Sequence, residues 1–203
     1  IDEIAKIHKV CTENRSTLIV DEIYHGLIYE DEIPSAVTVS NDLFVINSFS
    51  KYFGMTGWRL GWMVVPERHI DAVDRLSQNV FLSAPTIAQY AAIEAFNPRT
   101  MQILEQRKQK LQKRRDYLLP ELRKMGFKIE SYPEGAFYIY ADCSKFSNDS
   151  YKFCVDILKK AGVAVTPGID FGINNSEKYV RFAYVSSIER LKVGVERLAA
   201  YLS

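Results

Sequence analysis

The apolar run Leu43-Phe44-Val45-Ile46 leads through Asn47 into Ser48-Phe49-Ser50-Lys51-Tyr52-Phe53-Gly54-Met55-Thr56-Gly57-Trp58-Arg59, and a further apolar run, Leu60-Gly61-Trp62-Met63-Val64-Val65, follows at once. A short apolar run bounded by turn residues reads as a buried strand. The chain is therefore committed here to a strand, a polar turn carrying glycines, and a return to apolar surroundings. A lysine at the end of a buried strand needs an explanation. Burial penalises an ammonium and favours the neutral, nucleophilic amine. The hydroxyls of Ser48 and Ser50, the glycine backbone and Arg59 suit a phosphate.

An amine and a phosphate site together describe a lysine that holds pyridoxal phosphate as a Schiff base. A second stretch agrees. Thr17-Leu18-Ile19-Val20 reads as another short buried strand, with Asp21-Glu22-Ile23-Tyr24 at its carboxyl end. Open α/β sheets bind ligands at the carboxyl ends of their strands. With these two stretches, Pro133-Glu134-Gly135-Ala136-Phe137-Tyr138 and Tyr179-Val180-Arg181-Phe182-Ala183, the chain resembles the fold-type I pyridoxal-phosphate family, specifically the class I and II aminotransferases. The lysine stretch is the most specific of the four, and Asp-Glu alone would be weak. The resemblance implies an α/β fold: the C-terminal part of a cofactor-binding large domain with a mostly parallel sheet and helices (residues 1–98), followed by a small α+β domain (residues 99–203). It also implies a fragment lacking the N-terminal half of its parent. The family's phosphate-binding turn at a helix N-terminus, ring-stacking aromatic and ring-oxygen asparagine come from earlier sequence, so full activity from this chain alone is not expected.

Composition is ordinary for a globular protein and gives no support to other classes. Of 203 residues 47% are hydrophobic and 25% charged, and the formal net charge is only +1. That balance gives no basis for a nucleic-acid or membrane surface. Cys11, Cys143 and Cys154 have no metal-ligand spacing and read as reduced thiols of a cytoplasmic protein. His8, His25 and His69 form no triad or metal pattern, so no metal is expected.

Periodicity organises the remainder. An opening helix carries Ile4, Ile7, His8 and Cys11 on one face. Pro66-Glu67 starts a helix with Ile70, Val73, Leu76 and Val80 aligned, and another runs from Pro85 to Phe96. A long amphipathic helix follows to Met125, with Gly126 as its cap and Pro120 predicting a bend. Beyond it the pattern predicts strands at 127–130, 136–140, 163–165 and 179–184, a helix over 150–161, and a closing helix from Ser187.

Each site residue has a plain reading beside the one the resemblance implies. Lys51, otherwise an exposed turn lysine, becomes the Schiff-base lysine, which also shuttles a proton at the substrate α-carbon. Asp21, otherwise a strand-end cap, pairs with the cofactor's pyridine nitrogen. A carboxylate about 4 Å away in an effective dielectric near 20 contributes roughly 4 kcal/mol, about three pKa units, enough to keep that nitrogen protonated. Tyr24, otherwise a core tyrosine, hydrogen-bonds the ring oxygen. Ser48 and Arg59 hold the phosphate; Ser50 joins them or caps the next helix. Trp58 and Trp62 read as core. Arg181, otherwise an arginine reaching solvent, takes the substrate carboxylate through its bidentate fork, with Gly135 and Phe137 lining the substrate side.

The implied partners are a small L-amino acid and a 2-oxo acid, with a homodimer in the full-length parent. Two alternatives stay open in the sequence. One is a different pyridoxal-phosphate reaction, such as β-elimination, decarboxylation or cyclisation. The other is a non-catalytic regulatory module with an aminotransferase-like fold.

Overall fold

Strand β1 (Ile19–Asp21) lies parallel to β2 (Phe44–Ser48) in a computed structural model that describes residues 1–203. Ile19 stands opposite Phe44, Val20 opposite Val45 and Asp21 opposite Ile46. Strand β3 (Gly61–Val64) pairs on the other side of β2, antiparallel, with Ser48 opposite Gly61. The expectation of a mostly parallel sheet therefore holds for the β1–β2 pair and not for β3. The reason lies in the connections. Residues 22–43, which hold two short 3-10 turns and no α-helix, are long enough for a crossover, whereas the shorter segment 49–60 brings the chain straight back beside β2.

Helices α1 (Asp2–Glu13), α2 (Ile70–Val80) and α3 (Thr86–Ala95) accompany this sheet in the first part of the chain. Only α3 buries residues, and they are Ala88, Ala92 and Ala95, a small-residue stripe at helical spacing. Ala92 and Ala95 pack with Phe49 and Met55, against Phe53 and Leu60. A second cluster, Ala36, Leu43 and Val45, takes in Leu18 and Val20. Helix α4 (Pro98–Met125) follows, and the chain packs as two compact units, Ile1–Lys108 and Gln109–Ser203, that divide within it.

The second unit contains an antiparallel sheet in the order β4 (Tyr138–Asp142), β6 (Tyr179–Ala183), β5 (Thr166–Pro167). Helices α5 (Ser150–Ala161) and α6 (Ile188–Leu202) complete it. Local signals set the bounds of α5. Asp149 accepts from the Lys152 amide at its start, and Gly162 adopts φ +64° at its end. Ile139, Ile157, Val180 and Leu122 form the buried centre, beside the rings of Phe127, Phe146, Phe153 and Phe182. The strand expected over 127–130 is a single bridge, Lys128 to Asp142, and the strand expected at 163–165 forms at Thr166–Pro167 instead. No helix is long and apolar enough to cross a membrane.

Two expectations of burial fail in the first unit. Ile19 is 59% exposed, and every residue of β3 is exposed, with Trp62 at 40%. Trp58 is exposed as well, so neither tryptophan fills a core, although Trp62 sets its edge against the Phe49 ring at 5.1 Å. An apolar run shows that a strand suits burial; the cover has to come from another element, and here β1 and β3 are both sheet edges. Ile70, Leu76 and Val80 of α2, and Ile87, Tyr90 and Ile93 of α3, also face outward. Open edges and apolar faces drive association. In light scattering coupled to size exclusion, the 203-residue chain is expected to elute with a mass above that of one chain. Replacing both Ile87 and Ile93 by glutamate is expected to lower that mass while leaving the helical circular dichroism unchanged.

Candidate active site

The carboxyl ends of β1 and β2 carry the residues of interest. Beyond Asp21 the chain turns sharply: the Asp21 carboxylate accepts the Ile23 amide at 3.0 Å, and the His25 and Leu27 amides donate to the carbonyls of Glu22 and Tyr24 at 2.8 Å each. Glu22 anchors this turn. Its amide extends the strand ladder to the Ile46 carbonyl at 2.8 Å. Its carboxylate accepts the Ser35 hydroxyl at 3.0 Å and the Ala36 amide at 2.7 Å, and lies 3.8 Å from His25 Nδ1. The sequence reading gave Glu22 no role, because the partners that bury it come from a loop thirteen residues away.

Residues 49–60 form a second turn, closed by the β2–β3 pairing. The Ser48 hydroxyl accepts the Ser50 amide at 3.0 Å and lies 2.9 Å from the Ser50 hydroxyl and 3.1 Å from the Leu60 carbonyl. Thr56 donates to the Ser50 carbonyl at 2.6 Å, and Arg59 donates to the Thr56 carbonyl at 2.8 Å. One chain of hydrogen bonds thus gathers Ser48, Ser50 and Arg59 into a single turn. Lys51 is half-buried, its carbonyl takes the Gly54 amide at 3.0 Å, and its Nζ lies 5.9 Å from the centroid of the Tyr24 ring. The two turns therefore meet at Lys51 and Tyr24. Gly54 sits at φ +67°, in the left-handed region that favours glycine.

Arg181 belongs to the second unit. It stands in β6 opposite Tyr140 on one side and Thr166 on the other. Its guanidinium carbon lies 4.4 Å from the centroid of the Phe171 ring and 5.4 Å from that of Tyr138. Its Nε is buried and has no hydrogen-bond partner. A buried donor left unpaired in a native fold calls for a reason, and a carboxylate arriving at the arginine would supply one. The segment bearing Gly135 and Phe137 is tied down by Tyr184, whose hydroxyl donates to the Gly135 carbonyl at 3.3 Å and whose amide donates to the Phe137 carbonyl at 2.9 Å. Tyr184 is another residue the sequence reading missed.

The sequence profile described as "Aminotransferase class I and II" matches residues 1–198, and the chain belongs to that family. Over 203 residues it is 37% identical to a valine–pyruvate aminotransferase of Mycobacterium tuberculosis, covering 99% of this chain and 52% of that protein. Over 201 residues it is 37% identical to a (5-formylfuran-3-yl)methyl phosphate transaminase of Methanocaldococcus jannaschii, covering 98% and 53%. The crystal structure of an aminotransferase from Mycobacterium tuberculosis superposes with a TM-score of 0.95 at 37% identity, covering 99% and 52%. The chain spans about half the length of the curated relatives it matches.

The donor set fits pyridoxal phosphate: a half-buried amine beside an aromatic ring, two hydroxyls and a guanidinium in one turn, and a carboxylate at the neighbouring strand end. The Glu22 anchor is separable from that chemistry. Glu22→Ala removes the acceptor for a buried amide and hydroxyl, and is expected to cost about 1–3 kcal/mol in denaturant unfolding. Glu22→Gln, which keeps an acceptor, is expected to cost clearly less.

Proposed function

We propose that the intact protein transfers an amino group between a small L-amino acid and a 2-oxo acid with pyridoxal phosphate as cofactor. The observation that carries this reading is the placement of Lys51 against Tyr24, in a hydroxyl-rich turn at the same sheet end as Asp21. When bound, pyridoxal phosphate supplies an electron sink for the bonds at the substrate α-carbon. Ser48, Ser50 and Arg59 hold its phosphate, and Asp21 keeps a proton on its ring nitrogen. Tyr24 donates to its ring oxygen. The Lys51 amine anchors the aldehyde carbon, then takes and returns the substrate α-proton. Arg181 binds the substrate carboxylate with the fork whose Nε is unpaired in this structure. The names of the relatives support the substrate class, since they include valine with pyruvate and aspartate with prephenate.

The same proposal assigns the chain to the C-terminal part of such an enzyme, with residues 1–98 in its large domain and 99–203 in its small domain. The support is the order of the Asp21, Lys51 and Arg181 stretches along the sequence. A homodimer is what the family resemblance implies for the intact protein. A cytoplasmic location is supported by the cysteines, none of which is bridged. Burial pushes the Cys143 thiol up to about 12 and the Cys154 thiol up to about 11, which suits thiols kept reduced and unreactive.

The direct experiment is borohydride reduction of the intact protein loaded with pyridoxal phosphate, followed by peptide mapping. The pyridoxyl group is expected on Lys51; label on a different lysine with Lys51 unmodified would overturn the assignment. Arg181→Lys replaces a fork by a point charge. It is expected to lower kcat/KM for amino acid and oxo acid alike, by about tenfold or more, in steady-state assays of both half-reactions.

A further inference from the structure

We propose that Tyr52 positions Lys51, acting as a clamp between the Tyr24 turn and helix α4 through its ring on Gly26 and its hydroxyl on Glu105. The inference rests on the reading of Lys51 as the cofactor-bearing lysine, and nothing in that reading assigns Tyr52 a task.

Gly26 shows the first half of the clamp. A Cβ added there would lie 2.6 Å from Tyr52 Cγ, 2.8 Å from its Cβ and 2.9 Å from its Cδ2. Carbon atoms do not approach so closely, so the Tyr52 ring is seated directly on the Gly26 backbone. Gly26 is not among the residues with positive φ. Its conformation would accept an alanine, and the three atoms nearest to the added Cβ all belong to Tyr52.

The hydroxyl makes the second half. It donates to Glu105 Oε1 at 2.5 Å, on the stretch of α4 that belongs to the same compact unit. Lys108 Nζ lies 3.7 Å from the other oxygen of that carboxylate, which helps hold it in place. Burial, with Glu105 adding to it, raises the Tyr52 phenol well above its ordinary value. Both effects favour the neutral phenol and so keep Tyr52 a donor to Glu105.

Between these anchors the backbone has little freedom. Lys51 precedes Tyr52, and its carbonyl is fixed by the Gly54 amide. Two residues before Gly26 stands Tyr24, whose ring lies under the Lys51 amine. The Tyr52–Gly26 contact thus sets the spacing between the turn that bears the amine and the turn that bears the tyrosine beneath it. The consequence is chemical. When the amine condenses with the cofactor's aldehyde, one carbon–nitrogen link forms and one water leaves. Within a protein that equilibrium depends on how closely the amine is held in place, and a displacement of about 1 Å can cost a hundredfold.

The test uses the intact protein and two measurements: total bound pyridoxal phosphate by equilibrium dialysis, and the lysine-linked share by borohydride fixation. Tyr52→Phe keeps the ring and loses the Glu105 bond; the ratio of linked to total cofactor is expected to fall about tenfold, the scale of one hydrogen bond to a charged group. Gly26→Ala is expected to lower it at least as far in the unaltered background, and by less than about twofold on Tyr52→Gly, where the obstructing Cβ and ring are both gone. A fall in melting temperature with the ratio unchanged would make Tyr52 a structural residue only and overturn the proposal. Equal effects of Gly26→Ala in both backgrounds would overturn it too. Label away from Lys51 in the unaltered protein would instead refute the functional reading beneath it, and the clamp with it.

Discussion

The register of β1 against β2 is the constraint on which the site depends. Asp21 stands opposite Ile46, and the ladder continues one step through the Glu22 amide and the Ile46 carbonyl. Because the strands are parallel, both leave the sheet at the same end, which is where open α/β sheets carry their ligands. Tyr24, three residues past Asp21, and Lys51, five past Ile46, are therefore delivered to the same place and meet there. A slip of one residue would turn Asp21 to the other face of the sheet and separate that pair. The buried side chains of Leu43 and Val45, packed with Ala36, resist the slip. Those apolar contacts hold the polar site in register.

The lysine turn has its own closure, and it comes from the strand that departs from the parallel pattern. Antiparallel β3 returns beside β2 with Gly61 opposite Ser48, so close that a Cβ on Gly61 would lie 2.6 Å from the Asn47 carbonyl oxygen. That approach lets the Phe49 amide reach the Leu60 carbonyl and places the Ser48 hydroxyl near the same oxygen. Inside the loop, Thr56 fastens the Ser50 carbonyl, while Phe49 and Met55 sink into the alanine face of α3. The amine-bearing residue is thus carried on a turn fixed by backbone bonds, with its neighbouring side chains committed to structure. The role proposed for Lys51 would gain from such a support, because ordering completed during folding is not paid again at each encounter with a ligand.

How much of this was legible in the sequence depended on the range of the interaction. Helix α5 was readable to the residue, since Asp149 and Gly162 act on their own helix ends. The Lys51 turn was readable because its glycines, hydroxyls and arginine lie within a few positions of one another. The burial of β1 and β3 was misjudged because an apolar run does not disclose whether another element covers it. Strand β5 was misplaced because Val163–Val165 is as apolar as a strand, yet on the side away from β4 it is Thr166 and Pro167 that pair with β6. Glu22, Tyr184 and Tyr52 were missed for a common reason. Their partners lie 13 to 53 residues away in the chain, and no local pattern records such distances.

Two arginines of the second unit show how a fold separates a structural charge from one held in reserve. Arg115 is only 1% exposed; it donates to Asp116 through Nε at 2.9 Å and Nη2 at 2.7 Å, and to the Pro133 carbonyl through Nη1 at 2.9 Å. Such a charge is costly to bury and tolerable only because its donors are matched, and its role is to hold the segment beginning at Pro133. Arg181 is more accessible, yet its Nε is buried without a partner between two aromatic rings. The rings orient the guanidinium plane without consuming its donors, since their attraction for a cation comes from the ring faces. An arginine held in this way is pre-oriented for an incoming carboxylate and still has hydrogen bonds to give. The fold has matched the donors of Arg115 internally and left the Nε of Arg181 without a partner, and that contrast supports the carboxylate-binding role proposed for Arg181.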